Sequence, residues 1–193
     1  MTTNARRHEI LAFVEGRETE ERHLTYWARR HRDRVLVTID PFRGGPLQLV
    51  ENAVSAKRRD ERDAKRGRGK PYDEIWCVFD VDEHPNLGKA ISLAEKNRIN
   101  LAVSNPCVEL WFLLHFTNRT AYLDRYSAQR LSRVHLGAGK VLDDTALDAL
   151  ALRHAEATRR ARDLDDKHRG DGSPSGANPS SGMWRLVDRI CAG

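Results

Sequence analysis

The stretch EIWCVFDVDEHPN, Glu74–Asn86, places three acidic residues and a histidine directly after a short apolar run. Asp80 and Asp82 are two residues apart, so their side chains project to the same side of an extended backbone. Two carboxylates at ~4 Å repel each other by about 4 kcal/mol if the effective dielectric constant is ~20. A cation offsets this repulsion, and ligand sets made only of oxygen favour Mg²⁺ or Mn²⁺. The spacing therefore predicts a divalent metal site that acts on phosphates.

A further carboxylate, Glu15, follows the apolar run Ile10–Val14. In a parallel α/β sheet the carboxyl ends of the strands share one edge, and sites form outside that edge. We therefore expect Glu15 to meet Asp80 and Asp82 there and to share in binding the metal, although these residues are far apart along the chain. The alternative for each acid taken alone is an ordinary turn former or a helix N-cap.

Four strand-like runs alternate with helical patterns in the first part of the chain. The runs are Ile10–Val14, Arg34–Ile39, Glu74–Phe79 and Ile99–Ser104. Each is almost continuously apolar, as strands buried on both faces are. Amphipathic helical patterns lie between them at Glu18–Arg32, Gly44–Gly67 and Asn86–Arg98. This order predicts an α/β fold with a Rossmann-like parallel sheet of about four strands and helices on both faces.

The pattern changes after Ser104. An apolar stretch predicts a buried helix, two further helical stretches follow, and a loop rich in glycine, serine and proline precedes a short last helix. These segments are Cys107–Phe116, Tyr122–Val134, Asp143–Lys167, His168–Gly182 and Met183–Cys191. We predict a catalytic core over residues 1–116 and a helical extension over residues 117–193 that packs on it.

The net charge of the chain is +5, and one block accounts for all of it. Lys57–Lys70 contains eight basic and three acidic residues, a difference of +5. The basic residues are Lys57, Arg58, Arg59, Arg62, Lys65, Arg66, Arg68 and Lys70. A local basic block predicts phosphate contacts with nucleic acid that do not read its sequence. The alternative is a solvated helix end followed by a loop.

Several classes of protein do not fit this sequence. No apolar run approaches the ~20 residues of a membrane span, and no signal peptide is apparent. The three cysteines are widely spaced, which argues against zinc and fits free thiols in a reducing cytoplasm. A P-loop is absent. The D-x-D pair follows the third strand rather than the first, which argues against a haloacid-type phosphatase and a receiver domain. The 193 residues leave no room for a topoisomerase's strand-passage domains.

The acidic motifs resemble a known domain. VEG at Val14–Gly16 and DVD at Asp80–Asp82 are similar to the Toprim domain of topoisomerases, primases and OLD-type nucleases. More closely, the chain resembles the RloB/AbiLii family of Toprim proteins associated with phage defence. The matching stretches are VEGRETE, PLQLVENAV, YDEIWCVFDVDEHPN, SNPCVELWFLLHF and NPSSGMWRLVDRI.

This resemblance implies roles for individual residues. Glu15 would act as general acid and base, and Asp80 and Asp82 would bind Mg²⁺. Glu20 and Glu109 would be further ligands in a two-metal arrangement like that of OLD-type nucleases. The family also implies a defence effector that cuts tRNA, other RNA or DNA and works with an AAA/ABC-type ATPase.

Residues near these motifs have weaker signals. Glu109 is the one acid in an apolar helix, where a lone carboxylate needs a metal or another partner, such as backbone amides or an arginine. His84, Asn105 and His115 are candidates to support the site, although capping, turn and core roles are the alternatives. Asn105 and Asn178 both precede prolines, where turn chemistry is the default. The rival to a nuclease is a non-catalytic module that binds nucleic acid or the ATPase.

Overall fold

The computed structural model describes residues 6–81, 84–137, 142–174 and 176–193 and contains one five-stranded sheet. The strands are β1 His8–Val14, β2 Val35–Ile39, β3 Glu74–Asp80, β4 Asn100–Asn105 and β5 Ser180–Ser181. Their order is β2-β1-β3-β4-β5. The first four strands are parallel, and β5 pairs antiparallel with β4. The predicted α/β fold is confirmed, and β5 is an addition that the sequence did not predict.

The central strands are apolar because both of their faces are buried. In β1, Ile10, Ala12 and Val14 lie in the core on one side of the sheet, whereas Leu11 and Phe13 lie in the core on the other side. Side chains alternate across a strand, so a strand buried on both faces has no polar positions.

Helices cover both faces of this sheet. They are α1 Thr19–Arg30, α2 Pro46–Lys65, α3 Leu87–Asn97, α4 Glu109–Leu114, α5 Arg125–Leu136, α6 Asp144–Ala151, α7 His154–Gly170 and α8 Met183–Ala192. Helices α2 and α3 share one core with one face of the sheet. The remaining helices pack on the opposite face, in a core that runs from β1 to α8. The proposed domain boundary after residue 116 stays a prediction.

Local signals set several helix boundaries. Pro46 begins α2, where its missing N–H costs nothing. The carboxylates of Asp124 and Asp143 cap α5 and α6 by accepting the N–H groups of Ser127 and Ala146. Asn86 occupies the predicted N-cap position of α3 but makes no capping bond with its side chain.

The C-terminal part differs in detail from the sequence prediction. The helical stretch predicted as Asp143–Lys167 is two helices, α6 and α7, and α7 continues into the predicted loop as far as Gly170. The same loop contains β5. The residue after β5 is Gly182. A Cβ at this position would lie 3.0 Å from the backbone nitrogen of Val103, so a larger residue would crowd β4. None of the helices that the structure describes is long and apolar enough to cross a membrane.

Candidate active site

Glu15 and Asp80 meet at the carboxyl edge of the sheet. Glu15 directly follows β1, and Asp80 is the last residue of the neighbouring strand β3. The backbone N–H of Glu15 donates to the carbonyl of Val78 at 3.0 Å, which extends the pairing of the two strands. The backbone N–H of Asp80 donates to Oε2 of Glu15 at 3.2 Å. The topology therefore brings these two predicted residues together.

The other oxygen of Glu15 faces His84. Nε2 of His84 lies 3.2 Å from Oε1 of Glu15, close enough for an ion pair but without the alignment of a hydrogen bond. The ring of His84 also lies against the start of α2, since a Cβ on Gly45 would be 3.7 Å from its Nδ1. His84 thus contacts a predicted catalytic residue.

Glu20 turns back from the first turn of α1 towards the end of β1. It is 8% exposed. A Cβ on Gly16 would lie 2.0 Å from its Oε2. No side chain can occupy that space while Glu20 stays in place. The glycine after Glu15 is therefore needed to hold a second carboxylate beside the first.

The buried carboxylates interact electrostatically. Burial raises the pKa of Asp80 well above its ordinary value, and the negative charges of Glu20, Glu109 and Glu15 raise it further, while Arg125 lowers it. Burial is also the main cause of the raised pKa of Glu20. Its own backbone lowers that pKa, Glu109 and Glu15 raise it, and Arg125 lowers it. The four acids form one cluster whose full ionisation needs positive charge.

Glu109 begins α4 and faces Cys107. The buried Cys107 thiol has a raised pKa because of its burial and then because of the charge of Glu109 and a hydrogen bond to its carboxylate. The raised pKa favours the neutral thiol beside the carboxylate of Glu109. Asp80 contributes a smaller effect in the same direction, which places Cys107 beside the same cluster.

The donor set fits a hard divalent cation. It consists of carboxylate oxygens, the ligands that Mg²⁺ and Mn²⁺ prefer. Asp82, the other predicted ligand of the D-x-D pair, lies outside the described residues. Within the described ranges, no group of three or more His, Cys, Asp or Glu side chains is arranged to hold a metal ion. The chemistry of the cluster suits Mg²⁺ or Mn²⁺, but its described members are not assembled around one.

Asn105 and Asn178 fix the surroundings of the site. The side chain of Asn178 accepts the backbone N–H of Leu123 at 2.9 Å and donates to its carbonyl at 2.8 Å. It also donates to Oδ1 of Asn105 at 3.1 Å, while Asn105 donates to the carbonyl of Gly176 at 2.9 Å. Asn105 ends β4, directly after Ser104, which pairs with Asp80. The two asparagines therefore attach the segment before α5 to this edge of the sheet.

His115 lies in the helical core. Its Nδ1–H donates to the carbonyl of Trp111 at 2.8 Å, and its ring packs edge-on against the indole of Trp111. Burial lowers its pKa to about 3; the Trp111 backbone raises it, and His154 and Arg160 are among the smaller influences that lower it. No recorded contact joins it to the described carboxylates, so the structure favours the core role.

The basic block is remote from the cluster. Lys57 Nζ donates to the carbonyl of Asn97 at 2.8 Å, at the end of α3 and just before β4 begins. This is the amino edge of the sheet. At 1.5 Å per residue, Lys57 is about 18 Å along α2 from Gly45, and Lys65 is about 30 Å from it. The block and the carboxylates therefore lie at opposite edges.

Sequence reasoning missed Arg125 and Cys107 as members of the site. Arg125 belongs to α5, and nothing in its local sequence indicates that it lies near acids of β3 and α1. Cys107 had a weak signal, since it lies two residues before Glu109 in the stretch NPCVE.

A family model matches almost the whole chain. The family described as "RloB-like protein" matches residues 10–190, which is nearly the whole chain. No curated protein matches.

Proposed function

The chain belongs to the RloB-like protein family, and from this premise we propose that it is a nuclease that uses Mg²⁺ or Mn²⁺ to cleave phosphodiester bonds. The observation that supports this most directly is the convergence of Glu15, Glu20, Asp80 and Glu109 at the carboxyl edge of the sheet. Burying several acids together is costly unless a cation accompanies them. A divalent ion that binds phosphate is the counter-charge such a cluster suits best.

The residues divide into two roles. Asp80, Asp82, Glu20 and Glu109 would hold the metal, which when bound supplies Lewis-acid activation and neutralises charge on the phosphate. Glu15 has one oxygen held by the Asp80 amide and the other directed at His84. This leaves Glu15 oriented to accept a proton from the attacking water or to return one to the leaving oxygen. The Toprim-type assignment is part of this proposal.

The biological setting follows from the family. An RloB-like protein suggests a role associated with defence. An AAA/ABC-type ATPase partner, a cytoplasmic location and a tRNA, RNA or DNA substrate are parts of the proposal that rest on this resemblance. The basic block would then bind a distant part of a long substrate rather than the phosphate that is cut.

One observation favours a second function. The described side chains do not by themselves form a group able to hold a metal. A module that binds nucleic acid or the ATPase without cutting would have no need of such a group.

The test is cleavage of bulk tRNA and of supercoiled plasmid, side by side, with Mg²⁺, Mn²⁺ or EDTA. The wild type is compared with Glu15→Gln, Asp80→Asn and, as a matched control, Glu95→Gln, which removes an exposed acid from α3. We expect metal-dependent cleavage that the first two variants lose and the control keeps. Equal cleavage by all four proteins would contradict the site. Metal binding without cleavage, also when the ATPase partner is present, would favour the second function.

A further inference from the structure

Two tyrosines beside the carboxylate cluster have their rings in solvent. Tyr122 is 77% exposed and Tyr126 is 83% exposed. Neither makes a hydrogen bond or a ring contact with another described residue. Along the chain, Tyr122 precedes and Tyr126 follows Arg125, the first residue of α5. Exposed aromatic side chains next to a functional site are a common feature of binding surfaces.

The segment around these rings is basic. Residues 118–136 contain four arginines and one acid, a local charge of +3. The arginines are Arg119, Arg125, Arg130 and Arg133. The acid, Asp124, caps α5 by accepting the N–H of Ser127 at 3.0 Å. This second concentration of positive charge suits a polyanion better than a neutral or acidic protein surface.

The tyrosines are held at the edge where the carboxylates lie. Asn178 makes two hydrogen bonds with the backbone of Leu123, between the two rings, and a third with Asn105 at the end of β4. Asp80 ends the neighbouring strand β3. The electrostatic influence of Arg125 on Asp80 is consistent with this placement. The backbone that carries the two tyrosines is therefore attached to the edge of the sheet where Asp80 lies.

We propose that Tyr122 and Tyr126 stack on unpaired bases of a single-stranded or looped nucleic acid, whose backbone then passes Arg125 towards Glu15 and Asp80. This inference rests on the proposed function, which makes nucleic acid the ligand. It adds that the unpaired form binds rather than the duplex. Aromatic side chains interspersed with arginines are how proteins bind single strands, since every unpaired base offers a face for stacking. A duplex hides those faces, so the surface selects unpaired segments.

Binding is measured in EDTA, which separates it from cleavage. The probes are a short fluorescently labelled single-stranded RNA, its DNA counterpart and the matching duplexes, followed by fluorescence anisotropy. We expect the single strands to bind more tightly than the duplexes. Tyr122→Ala and Tyr126→Ala each weaken single-strand binding by about tenfold, the usual effect of removing one stacking ring. Tyr122→Phe and Tyr126→Phe retain the ring and should bind like the wild type.

A control and a second signal test stacking directly. Leu152→Ala removes another apolar side chain, which is 82% exposed and follows α6. This variant should bind like the wild type. A 2-aminopurine base in the single strand should lose fluorescence on binding to the wild type and not on binding to the double alanine variant.

Three results would overturn the proposal. They are absence of single-strand binding, equal binding of duplex and single strand, and alanine variants that bind like the wild type. The last result would leave the tyrosines available for a protein partner. Failure of the nuclease proposal is recognised separately, because the wild type should bind single strands in EDTA whether or not it cuts them when metal is present.

Discussion

Gly16 gives the most direct residue-scale test of the carboxylate cluster. In Gly16→Ala, the new Cβ would overlap Oε2 of Glu20 at 2.0 Å and push that carboxylate away from Glu15. A displacement of about 1 Å near reacting groups can reduce the rate about 100-fold. We therefore expect a loss of metal-dependent cleavage of roughly that size, measured as kcat/KM, with the fold preserved by circular dichroism.

A second glycine supplies the control for that experiment. Gly88 lies in α3, and a Cβ there would meet nothing within 4 Å. Gly88→Ala should keep full activity and raise stability slightly, because alanine is the better helix former. If Gly16→Ala cut as fast as Gly88→Ala, Glu20 would have no part in the reaction.

Asp80→Asn removes the negative charge of Asp80 and keeps a side chain of nearly the same size. The folded-state pKa of Asp80 is raised, so its ionisation costs stability as pH rises above the ordinary carboxyl range. At neutral pH without metal, the asparagine variant should therefore be more stable than the wild type. Thermal unfolding measures this difference.

Adding Mg²⁺ should make the wild type more stable than Asp80→Asn. A ligand that binds only the folded state raises the unfolding temperature, so Mg²⁺ should stabilise the wild type and Glu95→Gln but not Asp80→Asn. Equal stabilisation of all three proteins would place the metal elsewhere.

At the residue scale, the sequence predicted those acids whose positions depend on strand ends. Glu15 and Asp80 follow directly from the parallel topology. Arg125 could not be predicted in the same way, because its proximity to the acids depends on how α5 packs. The role of Gly16 was also hidden, since it depends on the conformation of the Glu20 side chain.

At the element scale, the buried histidine at the C-cap of α4 predicts a pH dependence of folding. His115 has a pKa of about 3 in the folded protein, whereas an unfolded histidine titrates near 6.5. Below about pH 6 the unfolded chain binds the extra proton and the folded protein does not, so stability falls as pH falls. The contribution is about 1.4 kcal/mol per pH unit until the folded pKa is reached.

Urea unfolding of wild type and His115→Gln at several pH values measures this contribution. The variant loses the hydrogen bond of the ring but has no titrating group there, so its stability should fall less steeply by about that amount per pH unit. Parallel curves for the two proteins would mean that His115 titrates alike in the folded and unfolded states. The buried His23 of α1 has its pKa lowered by burial as well, so the variant keeps part of the dependence.

The elements themselves were largely predictable because most of them carry a complete local signal. Each of the four long strands has a mostly apolar run, and α2 begins at a proline. Strand β5 has only two residues and no apolar pattern, because it exists through its pairing with β4. The break between α6 and α7 likewise contains neither glycine nor proline at Leu152 and Arg153.

At the scale of the whole molecule, the basic block and the carboxylates lie at opposite ends of α2. Reversing charge in the block, as in Arg62→Glu with Arg66→Glu, should leave cleavage of a short oligonucleotide within about twofold of wild type. Long structured RNA should bind more weakly, with a salt dependence reduced by roughly one unit or more. Cleavage rates and salt titrations of both substrates measure this. A large loss of activity on the short substrate would show that the block contacts the cleaved phosphate.

The contact between Asn178 and Leu123 has a consequence for how the protein is made. Residues 55 positions apart must both be present before the start of α5 is attached to the sheet edge. Synthesis runs from the N-terminus, so a ribosome has completed every predicted acid long before it reaches Asn178. A nascent chain would therefore carry the whole set of carboxylates without the anchored segment that adjoins them. The surface beside the carboxylates is therefore completed only late in translation.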